Sequence, residues 1–341
     1  YFFVIAALLY WKRPAKAKTE LNEHFFGAFR AGLRYVKASR ELHRVLFRAA
    51  MYFAFASAIW ALLPLVARTM LQGTAGFYGL LLGAVGGGAI AGALLLPRLR
   101  SKLSNDGLML LSAVLSALVM LALAMSPPQW LALLLMLVLG VGWIIALTTL
   151  NGVAQAVLPD WVRGRGLAVY LMVFNGTLAA GSLTWGLIAQ QLGLATTLLI
   201  AGVGLAISAL LLKRLTLPAG EADLQPAEHW AMPVVHDDVD VRHGPVLIQI
   251  RYRVPQEDRA AFKKAIHKLA QSRRRDGAYS WGLMEQTDDP TALLEWFMVE
   301  SWQEHMRQHQ RVSHADAELQ QAVLQYHQGE EAPQVSHHIA I

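Results

Sequence analysis

The chain has 341 residues, a mean hydropathy of +0.36 and a formal net charge of +6 at pH 7. It contains no cysteine, which excludes disulfides, thiolate metal sites and cysteine nucleophiles. The charge is divided unevenly, because the part up to Pro218 has 18 Lys or Arg and 5 Asp or Glu, whereas the remainder has 12 and 19. This shift indicates a domain boundary near Pro218, with a membrane region before it and a soluble domain after it. The basic excess falls in the turns between apolar runs, where positive charge sets membrane orientation, so it does not indicate nucleic acid as a partner.

Residues 1–11 form an apolar run that ends before Lys12 and Arg13. The run is too short to span a bilayer, and its basic flank follows it, whereas in a signal peptide the basic flank comes first. We therefore expect 1–11 to be the end of a truncated transmembrane helix, and the chain to be the back part of a longer protein.

Residues 12–44 form a basic connector. Within it, apolar side chains recur at helical spacing, opposite a basic face of Arg30, Arg34 and Lys37; they are Phe25, Phe26, Phe29, Leu33 and Val36. The pattern predicts an amphipathic helix, which lies either on an anionic membrane face or against the end of a helical bundle.

The region 45–217 contains six apolar segments of membrane-spanning length, which predict an all-α bundle. The spans cover about 46–67, 77–97, 107–125, 129–156, 167–191 and 195–213, and the two acidic residues between Leu46 and Leu212, Asp106 and Asp160, are expected in loops. Alternate connections are basic, and basic connections face the cytoplasm. We therefore expect a multi-pass protein of the cytoplasmic (inner) membrane, surrounded by lipid, with its C-terminal domain in the cytoplasm.

Small and polar residues within the spans are candidates for helix contacts and for a substrate path. Glycines in the second span (Gly83, Gly86, Gly87, Gly88, Gly92) and in the fourth (Gly140, Gly142) permit close helix packing, or else mark a flexible helix. Side chains that could line a path for a small molecule are Arg48, Tyr52, Trp143, Asn151, Gln155 and Asn175. Four of them have an alternative role: snorkelling to the interface for Arg48, interfacial anchoring for Trp143, and interhelical hydrogen bonding for the two asparagines. None of the six predicted spans contains a carboxylate, so if transport is coupled to protons, we expect the titrating carboxylate in the part of the longer protein that precedes this chain.

Residues 218–244 have the composition of a linker, with three prolines and an acidic cluster at Asp237, Asp238 and Asp240. Residues 245–341 then predict a soluble α+β domain. Alternation from Val246 to Val254 predicts a strand, a helix follows Pro255, and strands are expected at 279–285, 293–299 and 335–341. Ser301 and Glu304 form a capping-box pattern that would start a second helix running to about Tyr326. This order is that of a ferredoxin-like fold.

Two basic turns of the membrane region resemble loops of the major facilitator superfamily, in which two six-helix halves surround a central site. Leu158-Pro-Asp-Trp-Val-Arg-Gly-Arg-Gly166 is similar to the loop between the tenth and eleventh helices in a branch of enterobactin-type siderophore exporters and multidrug exporters, and Leu96-Pro-Arg-Leu-Arg100 is similar to the loop between helices eight and nine. Residues 302–311 look like the second helix of antibiotic-biosynthesis monooxygenases, a domain that some members of the branch carry. The resemblance implies half of a major facilitator fold and an exporter of a small amphipathic molecule, siderophore or drug-like, that works by alternating access.

Charged residues at the helix ends that we expect to face the cytoplasm are candidates for a gate. Such side chains can pair across the two halves in one conformation and separate in another. The candidates are Arg98, Arg100, Asp160, Arg163 and Arg165, and the alternative is ordinary topogenic charge.

The C-terminal domain leaves three roles open. One is a membrane-tethered, cofactor-free monooxygenase with a pocket of Trp281, Trp296, His305 and His309. A second role, which we prefer, is that of a regulatory or homodimerising module. In the third alternative, the membrane region that carries this module is a scaffold and does not transport. His305 and His309 are spaced i, i+4 without a carboxylate-bearing zinc motif, so we predict neither a metal nor a cofactor.

Overall fold

The computed structural model describes residues 2–11, 25–219, 223–224, 227, 243–329 and 331–340. Most of the predicted linker 218–244 and residues 12–24 of the connector lie outside the described residues. The helices of the first part are α1 (Phe2–Tyr10), α2 (Phe25–Ala38), α3 (Arg40–Leu65), α4 (Ala75–Arg100), α5 (Asn105–Ala124), α6 (Gln129–Ala156), α7 (Arg163–Leu192) and α8 (Leu194–Leu211).

Six of these helices, α3 to α8, are long and apolar enough to cross a membrane, which confirms the six predicted spans. The starts of α3, α5 and α7 lie with the ends of α4, α6 and α8 at one end of the bundle, which we call the domain end. The C-terminal domain packs against α2 at this end, because α2 contacts both α7 and α9, the first helix of that domain.

Serine caps determine where two of the spans begin. Ser39 Oγ accepts a hydrogen bond from the Leu42 amide at the start of α3, and Ser104 Oγ accepts one from the Gly107 amide at the start of α5, both at 3.3 Å. The cap at Ser104 corrects one expectation: Asp106 lies in the first turn of α5, where the helix dipole favours a carboxylate, and not in a loop.

Close backbone contact joins α4 to α6. A Cβ atom at Gly88 would clash with the Leu137 carbonyl, and one at Gly140 would clash with the Val85 carbonyl, so glycine is required where these helices meet. By contrast, a Cβ at Gly83 or Gly86 would meet no atom of the described chain within 4 Å. The glycines of α4 therefore lie on two faces, of which one packs on α6 and the other is open.

The connector helix α2 is amphipathic, as predicted, and it packs against protein with part of its surface. Ala31, Tyr35 and Val36 are buried, whereas Phe29 and Leu33 are 63% and 42% exposed. The contacts with α7 and α9 show that the helix lies against the end of the bundle and the C-terminal domain, while two of its apolar side chains remain uncovered.

The C-terminal part contains a four-stranded antiparallel sheet of order β2-β3-β1-β4 with helices packed on one face. Its elements are β1 (Val246–Arg253), α9 (Arg259–Asp276), β2 (Ser280–Glu285), β3 (Ala292–Val299), α10 (Trp302–Arg311), α11 (His314–Leu324) and β4 (Gln334–Ile339). Phe262, Ile266 and Leu269 of α9 pack on the inward side chains of β1 and β3, as the helical spacing predicts.

The single helix predicted from Ser301 to about Tyr326 is wrong, because the chain breaks between α10 and α11. Ser313 caps α11 with a complete capping box: its Oγ accepts from the Asp316 amide at 3.3 Å, and its own amide donates to Asp316 Oδ2 at 3.1 Å. At Ser301 the described bonds form half of such a box, since Ser301 Oγ accepts from the Glu304 amide at 3.2 Å while the Glu304 carboxylate binds arginines.

Candidate functional site

Polar side chains lie on the exposed surfaces of α6 and α7, within segments that are otherwise apolar. Asn151 accepts a hydrogen bond from Gln155 at 3.2 Å, and Asn175 and Thr184 each donate to a carbonyl of their own helix at 2.8 Å. Gln155, Asn175 and Thr184 are exposed, and α7 is the least buried of the six spans. These groups therefore bond within their own helices and leave their outer surfaces free for a ligand or another helix.

Two predicted path residues, Arg48 and Tyr52, point to a different side of the bundle. They line a cavity of about 330 Å³ between α3, α5 and α8, together with Asp106 and Lys213. Arg48 is 6% exposed and lies 3.1 Å from Asp106 Oδ1, and it donates to the carbonyls of Leu212 and Leu215 at 2.7 and 3.1 Å. The six residues proposed for one path thus separate into two groups.

Tyr52 belongs to a hydrogen-bonded cluster inside the bundle. Its hydroxyl lies 2.8 Å from Ser112 Oγ and 3.0 Å from Ser116 Oγ, and Ser112 Oγ donates to the Gly142 carbonyl at 2.6 Å. This cluster satisfies the buried hydroxyls and links α3, α5 and α6, so it stabilises the packing of these three helices.

Trp143 packs in an aromatic cluster where α3, α6 and α7 meet. Its ring centroid lies 5.4 Å from that of Phe53 and 5.0 Å from that of Trp60, and Phe53 is 4.5 Å from Phe174. The rings meet edge to face, which is a stabilising geometry for aromatic pairs. Trp143 is half-buried, so part of its ring remains available beside the polar surface of α6.

The predicted gate residues occupy the domain end of the bundle. Arg163 Nη2 lies 2.6 Å from Asp160 Oδ1 within the turn 158–166, and Arg100 reaches the Thr148 carbonyl at 3.5 Å. Arg165 packs along α2, where a Cβ at Gly32 would meet its side chain. Arg98 is exposed at the end of α4.

Trp161 of the same turn contacts α2 and α10, and it was not among the predicted site residues. Its ring meets Tyr35 of α2 edge to face, with centroids 5.6 Å apart, and Arg311 of α10 lies over it at 4.3 Å from the centroid. Tyr35 OH donates to the Val157 carbonyl at 3.0 Å, and burial raises the pKa of this hydroxyl above its ordinary value. Trp161 is therefore the point where the bundle, α2 and the C-terminal domain meet, and a tryptophan within a polar turn was the signal available in the sequence.

Three arginines and a glutamate extend this contact. Glu304 of α10 lies 2.7 Å from Arg34 of α2 and 2.8 Å from Arg311, with Arg307 at 3.4 Å. Glu304 is 6% and Arg311 7% exposed, so these charge-assisted hydrogen bonds are shielded from water. Glu300 lies 3.4 Å from Arg34 but is 43% exposed at its side chain, which makes it the weaker partner.

Of the four pocket residues proposed for the C-terminal domain, the structure brings two together. His305 Nε2 lies 3.3 Å from His309 Nε2, and the ring of His337 on β4 is 4.8 Å from that of His305. Burial, followed by neighbouring histidines, lowers the pKa of His305 to about 3, and burial with His337 and Arg273 lowers that of His309 to about 4. Both imidazoles are therefore neutral near pH 7.

The two tryptophans lie on opposite faces of the sheet. Trp281 pairs with Phe297, whose side chain faces the helices, and its Nε1 donates to the buried Glu295 at 2.9 Å. Trp296 is the next residue along β3 and so points to the other face. The four residues thus do not line one cavity, and no group of three or more His, Asp or Glu in the described part of the chain has a metal-binding arrangement.

Comparison with known proteins assigns the family. No curated protein matches the chain. A major facilitator family model described as "Transmembrane secretion effector" matches residues 1–341, which confirms the resemblance to the superfamily that the two basic turns indicated. Since this match covers the whole chain, the protein belongs to the transmembrane secretion effector family of the major facilitator superfamily and is a membrane transporter.

Proposed function

We propose that the protein is a secondary active exporter of a small amphipathic molecule, siderophore or drug-like, and that it works by alternating access. The observation that carries this proposal is the polar surface of α6 and α7. Amide and hydroxyl groups on the outside of an apolar span are costly in contact with lipid, so such groups usually border protein or water. Asn151, Gln155 and Asn175 would then line an aqueous path, with the aromatic cluster at Trp143 as its apolar wall.

The absence of native cysteine allows a test of this path that needs no known substrate. Cysteines introduced as Gln155→Cys and Asn175→Cys should react with a membrane-impermeant maleimide, because a thiolate forms readily in water and hardly at all in lipid. Val203→Cys on α8 is the matched control, since Val203 is 47% exposed in an apolar setting and should remain unlabelled. Labelling at Val203 equal to that at both polar positions, or no labelling at either, would contradict an aqueous path there.

We also propose that the membrane in question is the cytoplasmic membrane and that the domain end faces the cytoplasm. The support is the charge of that end, which carries Arg98 and Arg100 in the last turn of α4, Lys102 just after it, and Lys213 and Arg214 after α8. The Asp160 and Arg163 pair within the turn would belong to one conformation of a gate and would separate in another.

For the C-terminal domain we infer a ferredoxin-like fold, similar to that of antibiotic-biosynthesis monooxygenases, with a regulatory role. The support for the fold is the strand order β2-β3-β1-β4 with all pairs antiparallel. The support for regulation over catalysis is that two of the predicted pocket residues, Trp281 and Trp296, lie on opposite faces of the sheet, whereas Arg311 lies against Trp161 in the turn between two spans.

The face of the sheet that points away from its helices favours a homodimer. Leu247, Leu294, Trp296, Met298 and Met284 all point to this face, because they occupy paired or alternate register positions. In the full-length protein, Met284→Asp should convert a dimer to a monomer, since it places a charge on an apolar face at a side chain that is 53% exposed. Light scattering with correction for detergent measures the mass, and Glu318→Gln on the exposed side of α11 is the control. A wild-type protein that is monomeric at all concentrations would rule out this dimer.

A further inference from the structure

A basic groove lies where α2, the start of α3 and α9 meet. Its volume is about 630 Å³, and its basic lining residues are Arg30, Arg34, Lys37, Arg40, His43 and Arg274. None of the residues that line it is acidic. Two carboxylates lie nearby: Glu300 is within 4 Å of Arg30 and Arg34, and Glu304 is within 4 Å of Arg34.

Three of the cations are not offset by these glutamates. Lys37, Arg40 and Arg274 are exposed, and no carboxylate of the described residues forms an ion pair with them. Lys37 and Arg274 belong to different packed helices, so their positive charges repel each other across the groove. In addition, the buried Nε of Arg34 has no hydrogen-bond partner among the described residues. An anion with several oxygen atoms would relieve the repulsion and accept from these donors.

The position of the groove identifies the kind of anion. Arg40 is the first residue of the span that begins with α3, so it lies at the depth of lipid headgroups. His43 and Phe47 follow it on the same side of the helix, because residues four apart share a face, and Phe47 is 50% exposed. Leu33 of α2 lines the other wall and is 42% exposed. A basic groove that continues into an apolar strip fits a molecule with a phosphate head and an acyl tail.

We propose that this groove binds the phosphate-bearing headgroup of an anionic phospholipid, whose acyl chain lies along α3 beside Phe47. The lipid joins the C-terminal domain to the membrane region, because Arg274 belongs to the former while Lys37 and Arg40 belong to the latter. This inference does not rest on the transported substrate or on the direction of transport.

The test is native mass spectrometry of the full-length protein in detergent, titrated separately with phosphatidylglycerol, phosphatidylcholine and inorganic phosphate. The wild type should retain phosphatidylglycerol in preference to phosphatidylcholine. The triple variant Lys37→Gln/Arg40→Gln/Arg274→Gln should bind phosphatidylglycerol between about tenfold and about a hundredfold more weakly, as expected for three lost charges at an anionic surface. The three side chains are exposed, so their neutralisation leaves the packed core intact.

The matched control is Lys102→Gln/Lys213→Gln/Arg214→Gln, which removes the same charge from the same end of the bundle outside the groove. It should bind phosphatidylglycerol as the wild type does. Equal loss in the two triple variants would mean that overall charge attracts the lipid, and an unchanged affinity in the groove variant would mean that the groove is not the site; either result overturns the proposal. If inorganic phosphate alone binds and displaces the lipid, with the same dependence on the three residues, the site is one for soluble phosphate and the lipid assignment is wrong.

Discussion

Replacing Asp106 with asparagine is expected to destabilise the membrane region by about 3 kcal/mol, because it leaves the Arg48 guanidinium buried without a counter-charge. Arg48 is 7% exposed at its side chain, while Asp106 is 28% exposed. The value lies at the low end of the range for broken buried pairs, since water reaches Asp106 and Arg48 keeps its bonds to the Leu212 and Leu215 carbonyls. Thermal unfolding of the purified protein in one detergent would show a midpoint several degrees lower.

Two further variants separate the ion pair from other effects of charge. Arg48→Met should cost less than Asp106→Asn, because the carboxylate that remains is partly hydrated and still accepts from the Leu217 amide at 3.2 Å. The double variant should be more stable than the sum of the single effects predicts, which is the sign of direct coupling. Arg44→Met, one turn earlier on α3 at an exposed position, is the control and should leave the midpoint unchanged. Additive effects would show that the two side chains do not stabilise each other.

This ion pair also illustrates what the sequence could and could not predict. The six spans followed from the length of apolar runs, which is a local property matched to the thickness of a bilayer. The pairing of Arg48 with Asp106 was not predicted, because a polar residue near the start of a span has the same local pattern whether it snorkels or meets a partner. The partner became visible only when α3 and α5 were placed side by side.

Two helix starts were predicted wrongly for a different reason. The sequence pattern predicts Asp106 in a loop and no break at Ser313, although each of these helix starts has a serine followed by an aspartate within three positions. In each case a short capping motif and a longer periodic pattern predict different helix boundaries. The cap was the better guide, since it satisfies amide groups that the helix itself leaves without acceptors.

The candidate site was predicted in parts, because its residues come from segments far apart in the chain. The apolar context predicts Asn151, Gln155 and Asn175 as polar groups of the spans, and of these Gln155 and Asn175 are exposed while Asn151 is half-buried. The contact of Trp161 with Tyr35 and Arg311 joins the turn 158–166 to α2 and α10, and no spacing rule links such distant residues. For the same reason Trp281 and Trp296 were assigned to one pocket, although strand alternation places them on opposite faces of the sheet.

The contact of the C-terminal domain with the bundle leads to the second prediction, which concerns Arg34. In the variant Arg34→Gln, the C-terminal domain should separate from α2 at least about tenfold more often than in the wild type, because a hydrogen bond to a charged group contributes about 1.5–3 kcal/mol. Arg34 lies 2.7 Å from Glu304, and the substitution leaves the bond of Glu304 to Arg311 inside the domain intact. Hydrogen–deuterium exchange should therefore rise in α2 and in the turn 158–166, while the strands of the sheet keep their protection.

Arg30→Gln provides a matched control for this variant. It removes the same charge from the same helix, but Arg30 is 70% exposed and lies 3.6 Å from Glu300, so its loss should not change exchange measurably. Equal exchange in the two variants would mean that the charge of α2, and not the buried bond to Glu304, holds the domain.

The rate of transport in the same variants tests regulation. Arg311 can lie over Trp161 only while the domain is docked. If exchange rises only for Arg34→Gln and the rate of transport changes with it, the docked domain restrains the turn between α6 and α7. An altered exchange with an unchanged transport rate would leave the contact as an anchor of the domain without a regulatory role.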